Sequence, residues 1–205
     1  KCAAPIPEFP RRFLMSMDQT LSGWLQAVGE RRATPGGGGV AAHLGANAAA
    51  LMAMVVRYSR GPVFSAAFAT ALDHHAKQFL RLAEADAAGY LACQRQLKTA
   101  KDNPALRDDA YLQAAFAPIL IFELAGLLGR QLLTCYSKTN QHLRSDTQMV
   151  ALILQCTLAS ARLNIDINLD ACKQDALKQP LYARIAAQRD TQSALGELIQ
   201  TFSSS

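Results

Sequence analysis

Residues 39–56 form an eighteen-residue stretch without a formal charge, and four consecutive glycines, Gly36 to Gly39, lead into it. A segment of this length and composition either approaches a membrane span or forms the central helix of a packed core. Alanine contributes little to membrane insertion, and two polar residues, His43 and Asn47, interrupt the run. We therefore expect a buried core helix and no membrane association.

The chain after residue 15 has helical rather than strand periodicity. Leu21, Trp24, Leu25 and Val28 recur at the spacing of one helix face. The segment "NIDINLD" alternates in the manner of a strand, but it is isolated and is interpreted as a helix end. Further helices are predicted at about 38–59, 62–99, 108–136, 145–165 and 173–201. The sequence thus predicts an N-terminal arm over 1–15 and one all-α domain over 16–205, a bundle of about five to seven helices.

Capping patterns mark two of the predicted helix starts. Ser16-Met17-Asp18-Gln19 and Ser145-Asp146-Thr147-Gln148 both place glutamine three residues after serine, as in a capping box. Pro62 suits the first turn of the third helix. Capping is therefore one explanation for Ser145, and Asp146 fits the positive end of a helix.

Composition narrows the class of partner. The formal charge is +5, but the basic residues are scattered without interleaved aromatics, which disfavours a nucleic-acid surface. The five cysteines and four histidines lack zinc or disulfide spacing, so we expect reduced thiols, no metal and a cytoplasmic location. The chain has more apolar surface than one thin helical bundle can bury, which predicts a homodimer.

Asp86 is the polar residue most at odds with its surroundings. It falls on an apolar stripe of the third helix, four residues after Leu82 and four before Tyr90. A carboxylate that faces a core must be paired, hydrogen-bonded or protonated. Desolvation raises its pKa, as a general acid/base near neutrality requires. One alternative is that Asp86 forms a structural hydrogen bond to a neighbouring helix end. The other is that the apolar stripe runs one residue away from Asp86.

Two other polar features have both a structural and a functional interpretation. The loop Pro35 to Gly39 opens a helix whose free amides favour negative charge, although it lacks a Walker lysine and a preceding strand. Asn164 and Asn168 lie one turn apart on an apolar segment, where interhelical hydrogen bonding is the structural alternative.

Four motifs in register resemble the formiminotransferase-cyclodeaminase C-terminal domain family. Its Pro-Gly-Gly-Gly-Ser-Val-Ala-Ala is similar to the residues 35–42, and its Asp-Ala-x-Ala-Phe/Tyr to the residues 86–90. Its Asn followed by Ser-Asp is similar to Asn140, Ser145 and Asp146. Its Asn-Val-x-Ile-Asn is similar to the residues 164–168. The resemblance covers nearly the whole chain after Ser16.

The resemblance implies a helical homodimer that binds tetrahydrofolate as substrate and needs no other cofactor. It assigns Asp86 as the catalytic acid/base. The implied reaction converts 5-formimidoyltetrahydrofolate to 5,10-methenyltetrahydrofolate and ammonia. The implied substrate-binding residues are Pro35, Gly36, Gly37, Gly38, Gly39, Asn140, Ser145, Asp146, Asn164 and Asn168.

The sequence departs from the family pattern at three points. Gly39 replaces a serine, Gly89 replaces an alanine, and a basic stretch that often follows the glycine helix is absent after Gly61. Three alternatives therefore stay open. They are a methenyltetrahydrofolate cyclohydrolase, a bundle that has lost activity and serves binding or oligomerisation, and a bundle acting on another small anion.

Overall fold

The structure is a computed structural model that describes residues 19–204. Seven α-helices and no strand occur in that part of the chain, which confirms the all-α prediction. In chain order they are α1 (Leu21–Gly29), α2 (Gly37–Tyr58), α3 (Ala66–Thr99), α4 (Pro104–Cys135), α5 (Arg144–Ala171), α6 (Asp175–Ala186) and α7 (Arg189–Gln200).

The four long helices form the core of the bundle. Helix α2 packs against α3 and α5, and α4 packs against the same two helices from the other side. The interior is filled by large apolar side chains such as Leu72, Phe122 and Leu154, all fully buried. Helices α6 and α7 cover α4, and α7 also contacts α5.

Small residues let α2 lie close to α3. Ala41, Ala42, Ala48 and Ala49 of α2 are fully buried. A β carbon built on Gly45 would overlap the ring of Phe79 in α3, so glycine is needed where the two helices approach. The glycine-led, uncharged stretch is therefore a central helix of the core, as predicted.

Three helical segments are long and apolar enough to cross a membrane by length and composition. They are Gly37–Tyr58, Pro104–Lys138 and Gln141–Ala171. In the most apolar window of each of the first two, 61% of the residues are buried in the bundle, against 39% for the third. The apolar residues of α5 are thus the least covered by the chain's own packing.

Several predicted helix starts were wrong. Helix α1 begins after Thr20, whose side chain accepts from the Gly23 N–H, and the predicted cap Ser16 lies outside the described residues. Helix α3 begins after Ser65, which accepts from the Phe68 N–H, so Pro62 lies in the preceding turn.

The two later corrections concern α4 and α5. Helix α4 begins four residues earlier than predicted, because Asn103 caps it and Pro104 occupies its first position. Helix α5 begins at Arg144 and has no side-chain cap, so the predicted capping box at Ser145 is wrong. Helix α5 also continues to Ala171, beyond the predicted end at residue 165.

The last predicted helix is divided into α6 and α7. The division lies at Gln188, whose side chain is buried and accepts a hydrogen bond from Arg130 of α4. A buried polar contact of this kind leaves no periodic signal, which explains why one continuous helix was predicted.

Candidate functional site

The amino end of α2 lacks a cap from its own chain segment. Its N-cap residue is Gly36, which has no side chain to accept from the first free amides of the helix. The carboxylate of Asp86 in α3 accepts a hydrogen bond from the Gly39 backbone N–H instead. A side chain from a neighbouring helix therefore performs the capping role, and negative charge is favourable at this end of a helix dipole.

Gly38 leaves the space that the Asp86 carboxyl group occupies. Gly38 is buried, and a β carbon built on it would overlap all three terminal atoms of Asp86. Any side chain at residue 38 therefore displaces that carboxyl group.

Asp86 occupies a core position of the α2–α3 interface. Gly38 faces Asp86 and Gly45 faces Phe79, so the two contacts lie seven residues apart on both helices. Asp86 thus repeats the position of the fully buried Phe79, which confirms its predicted place on the stripe. Tyr90, predicted to lie on the same stripe, is 41% exposed, although Cys93 further along the same helix is buried.

Burial changes the acidity of Asp86. Desolvation raises its pKa from 3.8 to about 6, and the hydrogen bond from the Gly39 N–H opposes this increase. A carboxyl group with this pKa is mostly ionised at neutral pH but takes up a proton readily. The pKa is suited to a group that accepts a proton and returns it during one reaction.

The asparagines of α5 lie at the same end of the bundle. A β carbon built on Gly37 would lie 3.7 Å from the Asn164 side-chain oxygen. The Asn164 and Asn168 side-chain NH2 groups donate to carbonyl groups of their own helix, at Ser160 and at Asn164. The structural alternative of interhelical hydrogen bonds from these groups was therefore wrong.

Two further residues border the glycine segment. The His43 ring stacks on Trp24 of α1, with ring centroids 3.9 Å apart, and its Nδ1 lies 2.9 Å from the Gly39 carbonyl oxygen. Pro35 also borders Gly39, since a β carbon built on that glycine would lie 3.5 Å from the Pro35 β carbon. His43 was not among the predicted site residues, although a histidine one turn after the glycines was a usable signal.

The remaining predicted site residues lie at the opposite end of α2. The Asn140 side chain donates to the Tyr58 carbonyl oxygen at 3.0 Å, and the Asn140 N–H donates to the Ser59 hydroxyl. Gly38 and Tyr58 are twenty residues apart on α2, which corresponds to about 30 Å. Ser145 and Asp146 occupy the first turn of α5, just after this loop. One chain thus holds two separate groups of predicted site residues.

The other conspicuous charges have structural partners. Glu123 forms two hydrogen bonds of 2.7 Å with Arg184, which joins α4 to α6. Arg57, which precedes the missing basic stretch, pairs with Asp73 of α3. Residues 19–204 contain no group of three or more His, Cys, Asp or Glu side chains arranged to hold a metal ion.

The chain is similar in sequence to proteins named formimidoyltransferase-cyclodeaminase. A profile of the family described as Formiminotransferase-cyclodeaminase matches residues 20–187. The formimidoyltransferase-cyclodeaminase of Mus musculus is 31% identical over 204 residues, which cover 87% of this chain and 36% of that protein. The Sus scrofa protein of the same name is 30% identical with the same coverage. The chain therefore spans about a third of the length of these relatives.

A solved structure has the same fold. The formiminotetrahydrofolate cyclodeaminase of Thermotoga maritima superposes with a TM-score of 0.79 at 21% identity, covering 91% of this chain and 98% of that one. The fold agreement and the match over residues 20–187 confirm the resemblance seen in the motifs. The chain belongs to the formiminotransferase-cyclodeaminase family.

Proposed function

We propose that this chain converts 5-formimidoyltetrahydrofolate to 5,10-methenyltetrahydrofolate and ammonia. The observation that carries the proposal is a desolvated carboxyl group, Asp86, held against the glycine-lined amino end of α2. Family membership and the names of the relatives supply the substrate class. The proposal includes cytoplasmic action without a metal or nucleotide, and assembly as a homodimer.

Asp86 transfers one proton between the two reacting nitrogens. N10 of the folate attacks the carbon of the protonated formimino group on N5 (N5–CH=NH2+), which closes a five-membered ring and leaves that nitrogen as –NH2. The carboxylate removes the proton from N10 and delivers it to the former imino nitrogen. The carbon–nitrogen bond to that group then breaks, ammonia leaves, and the N5=CH–N10 cation remains. A positioned acid/base of this kind contributes roughly 10²–10⁴ in rate.

The glycine segment supplies binding rather than chemistry. Gly37 is exposed beside Asn164, so a flat ring can approach the helix amides without meeting a side chain. The substrate carries a glutamate tail, and Arg57 is a less available partner for it because Asp73 already pairs with that side chain. We therefore expect weaker binding of the tail than a full basic stretch would give.

An absorbance assay tests the proposal. Methenyltetrahydrofolate absorbs strongly in the near ultraviolet, so its formation from the formimidoyl compound is recorded directly. Growth of that absorbance with release of ammonia supports the cyclodeaminase reaction. Loss of added methenyltetrahydrofolate to 10-formyltetrahydrofolate, without the first reaction, supports a cyclohydrolase. Folate binding without either reaction contradicts the proposed activity and favours an inactive binding module.

A further inference from the structure

The first turn of α2 has little of its own to hold it in place. Residues 36–39 are all glycine, and α2 includes them from Gly37 onward. Glycine is the weakest helix former apart from proline, because it loses the most backbone freedom when it is ordered. The N-cap Gly36 has no side chain that could bond the free amides. Contacts from outside this turn must therefore fix the Gly39 N–H that donates to Asp86.

His43 contacts the Gly39 carbonyl group from one turn further along α2. The His43 Nδ1 lies 2.9 Å from that carbonyl oxygen. Because a carbonyl oxygen only accepts hydrogen bonds, Nδ1 carries the hydrogen and is the donor. Nδ1 carries a hydrogen both in this neutral tautomer and in the imidazolium, which differ only at Nε2. The bond to Gly39 therefore does not depend on the charge of the His43 ring.

The His43 ring is itself restrained by α1. Trp24 of that helix is 8% exposed, and its ring stacks on the imidazole with centroids 3.9 Å apart and an angle of 27° between the planes. An imidazole packed against a buried indole has little freedom to rotate, so its Nδ1 stays directed at the Gly39 carbonyl. Helix α1 thus supports the amino end of α2 through this one side chain.

Gly39 is bonded on both sides of its α carbon. Its N–H donates to the Asp86 carboxylate, and its carbonyl oxygen accepts from His43. The two peptide planes that carry these groups share one α carbon, so a bond that restrains one plane also restrains the other. The fixed N–H in turn holds the carboxyl group in the space that Gly38 leaves. Trp24, His43, Gly39 and Asp86 therefore form one continuous series of contacts.

We propose that His43 is a positioning residue for Asp86: its Nδ1–H holds the Gly39 carbonyl group, which keeps the Gly39 N–H directed at the Asp86 carboxyl group. This inference rests on the proposed function for its effect on turnover. Within residues 19–204 the pKa of Asp86 is raised by desolvation and lowered by the Gly39 N–H. Release of that N–H removes the second effect, while the packing of α2 on α3 keeps the carboxyl group desolvated. Loss of the His43 bond should therefore raise the pKa of Asp86 and slow the proton transfer.

Two substitutions separate the hydrogen bond from the ring stack. His43→Phe keeps an aromatic ring against Trp24 but has no donor. His43→Asn loses the ring but can donate to the carbonyl four residues back, as Asn164 and Asn168 do at 2.9 and 2.8 Å. We expect kcat to fall by about ten- to a hundredfold in His43→Phe, as for a misplaced catalytic group, and to recover largely in His43→Asn. Equal rates in the wild type and His43→Phe, or equal losses in both variants, overturn the positioning role.

His74 provides a matched control. Its Nδ1 lies 2.8 Å from the Thr70 carbonyl oxygen, also four residues back, at an exposed place on α3. His74→Phe removes the same type of bond away from the glycine segment, so its kcat and the acid limb of its kcat/KM profile should match the wild type. In His43→Phe the acid limb should move to higher pH, and in His43→Asn it should stay at the wild-type value. A lower kcat in His43→Phe with an unmoved acid limb is a structural effect alone and overturns the inference.

Two measurements on the free protein decide the inference even if the wild type is inactive. Carbon NMR titration of the aspartate carboxyl groups gives the pKa of Asp86, whose signal is the one absent from Asp86→Asn. Amide hydrogen exchange gives the protection of the Gly39 N–H. We expect a higher Asp86 pKa and faster Gly39 exchange in His43→Phe, and neither change in His74→Phe.

The two possible failures are distinguishable. If either quantity is unchanged in His43→Phe, the positioning role of His43 is overturned. If both change as expected but the wild type forms no methenyltetrahydrofolate, the proposed reaction is refuted and the contact between His43 and Asp86 stands. His43→Leu, which also lacks a donor, replaces His43→Phe in every comparison if the phenylalanine variant does not fold.

Discussion

The carboxyl group of Asp86 occupies the space that a side chain on Gly38 would fill, and it caps α2 through the next amide, that of Gly39. The contact between Gly38 and Asp86 therefore imposes one requirement on each residue. Residue 38 must lack a side chain, and residue 86 must present an acceptor. The same contact desolvates the carboxyl group, which couples the packing of α2 on α3 to the acidity of the candidate catalytic residue.

Adding one methyl group at residue 38 should separate activity from folding. Gly38→Ala forces the Asp86 carboxyl group to move, and we expect turnover to fall at least tenfold with a destabilisation of about 1–3 kcal/mol. Gly45→Ala meets the Phe79 ring instead, so it should destabilise by a similar amount while each folded molecule stays active. Gly196→Ala meets nothing within 4 Å and is the control, which should be active and about 0.5–1 kcal/mol more stable because alanine favours the helix. Chemical denaturation and turnover are measured on all three. Equal activity per folded molecule in Gly38→Ala and Gly45→Ala contradicts the role of this contact.

The free energy of unfolding should depend on pH through the partly buried carboxyl group of Asp86. Its pKa is about 6 in the folded state and 3.8 for an aspartate free of the fold, so between these values the folded state binds more protons than the unfolded state. The Asp86 contribution to the free energy of unfolding therefore decreases as pH rises from about 4 to about 6 and is constant above. The full difference is about 3 kcal/mol.

Asp86→Asn removes this penalty. We expect the variant to be more stable than the wild type at pH 8, by up to about 3 kcal/mol, and similar to it at pH 4. Urea denaturation at both pH values measures the difference. A variant that is less stable than the wild type at pH 8 indicates that the cap on Gly39 outweighs the cost of desolvation.

The pH dependence of turnover should follow the ionisation of Asp86. Because the ionised carboxylate starts the reaction, kcat/KM of the free enzyme should fall below a pKa of about 6 and be level above it. Initial rates from pH 5 to pH 8 give the profile. An acid limb near pH 4 means that the catalytic base is not desolvated, which argues against Asp86.

Removal of metal ions should leave the reaction unchanged. The proposed proton transfer uses a carboxyl group and backbone amides, so prolonged treatment with a chelator followed by gel filtration should preserve turnover. The assay is repeated with added zinc or magnesium. A loss on chelation that zinc restores means that the chemistry depends on a site other than the one described.

The sequence was sufficient for the fold class, for α2 and for the place of Asp86. Periodicity alone assigns a residue to a face, and Asp86 repeats the face of Phe79. The missed boundaries had local signals, since Asn103 and Pro104 form a strong helix start and Ser65 is a good cap. The break at Gln188 had none, because it depends on a contact with Arg130 far along the chain.

The arrangement of the site was harder to predict. Motif matching grouped Asn140 and Asp146 with Asp86, whereas α2 separates them by its own length. The alternating segment "NIDINLD" carried a signal about α5 that was not used in the prediction. Ile165 faces the core and Ile167 faces outward, so the alternation reflects a helix with two apolar sides. The outward-facing apolar side of α5 is left exposed by the other helices of residues 19–204.

Asp86 is proposed to transfer the proton during ring closure. Asp86→Asn keeps the size of the side chain and a hydrogen-bond acceptor for the Gly39 N–H, so the variant should fold and bind tetrahydrofolate. The control Asp73→Asn lies on the same helix and loses only an exposed pair with Arg57, which costs at most about 1 kcal/mol. The decisive measurement is single-turnover formation of methenyltetrahydrofolate with saturating enzyme. We predict a decrease of roughly 10²–10⁴ for Asp86→Asn and near wild-type rates for Asp73→Asn. A folded, folate-binding Asp86→Asn variant that reacts at the wild-type rate would contradict the account.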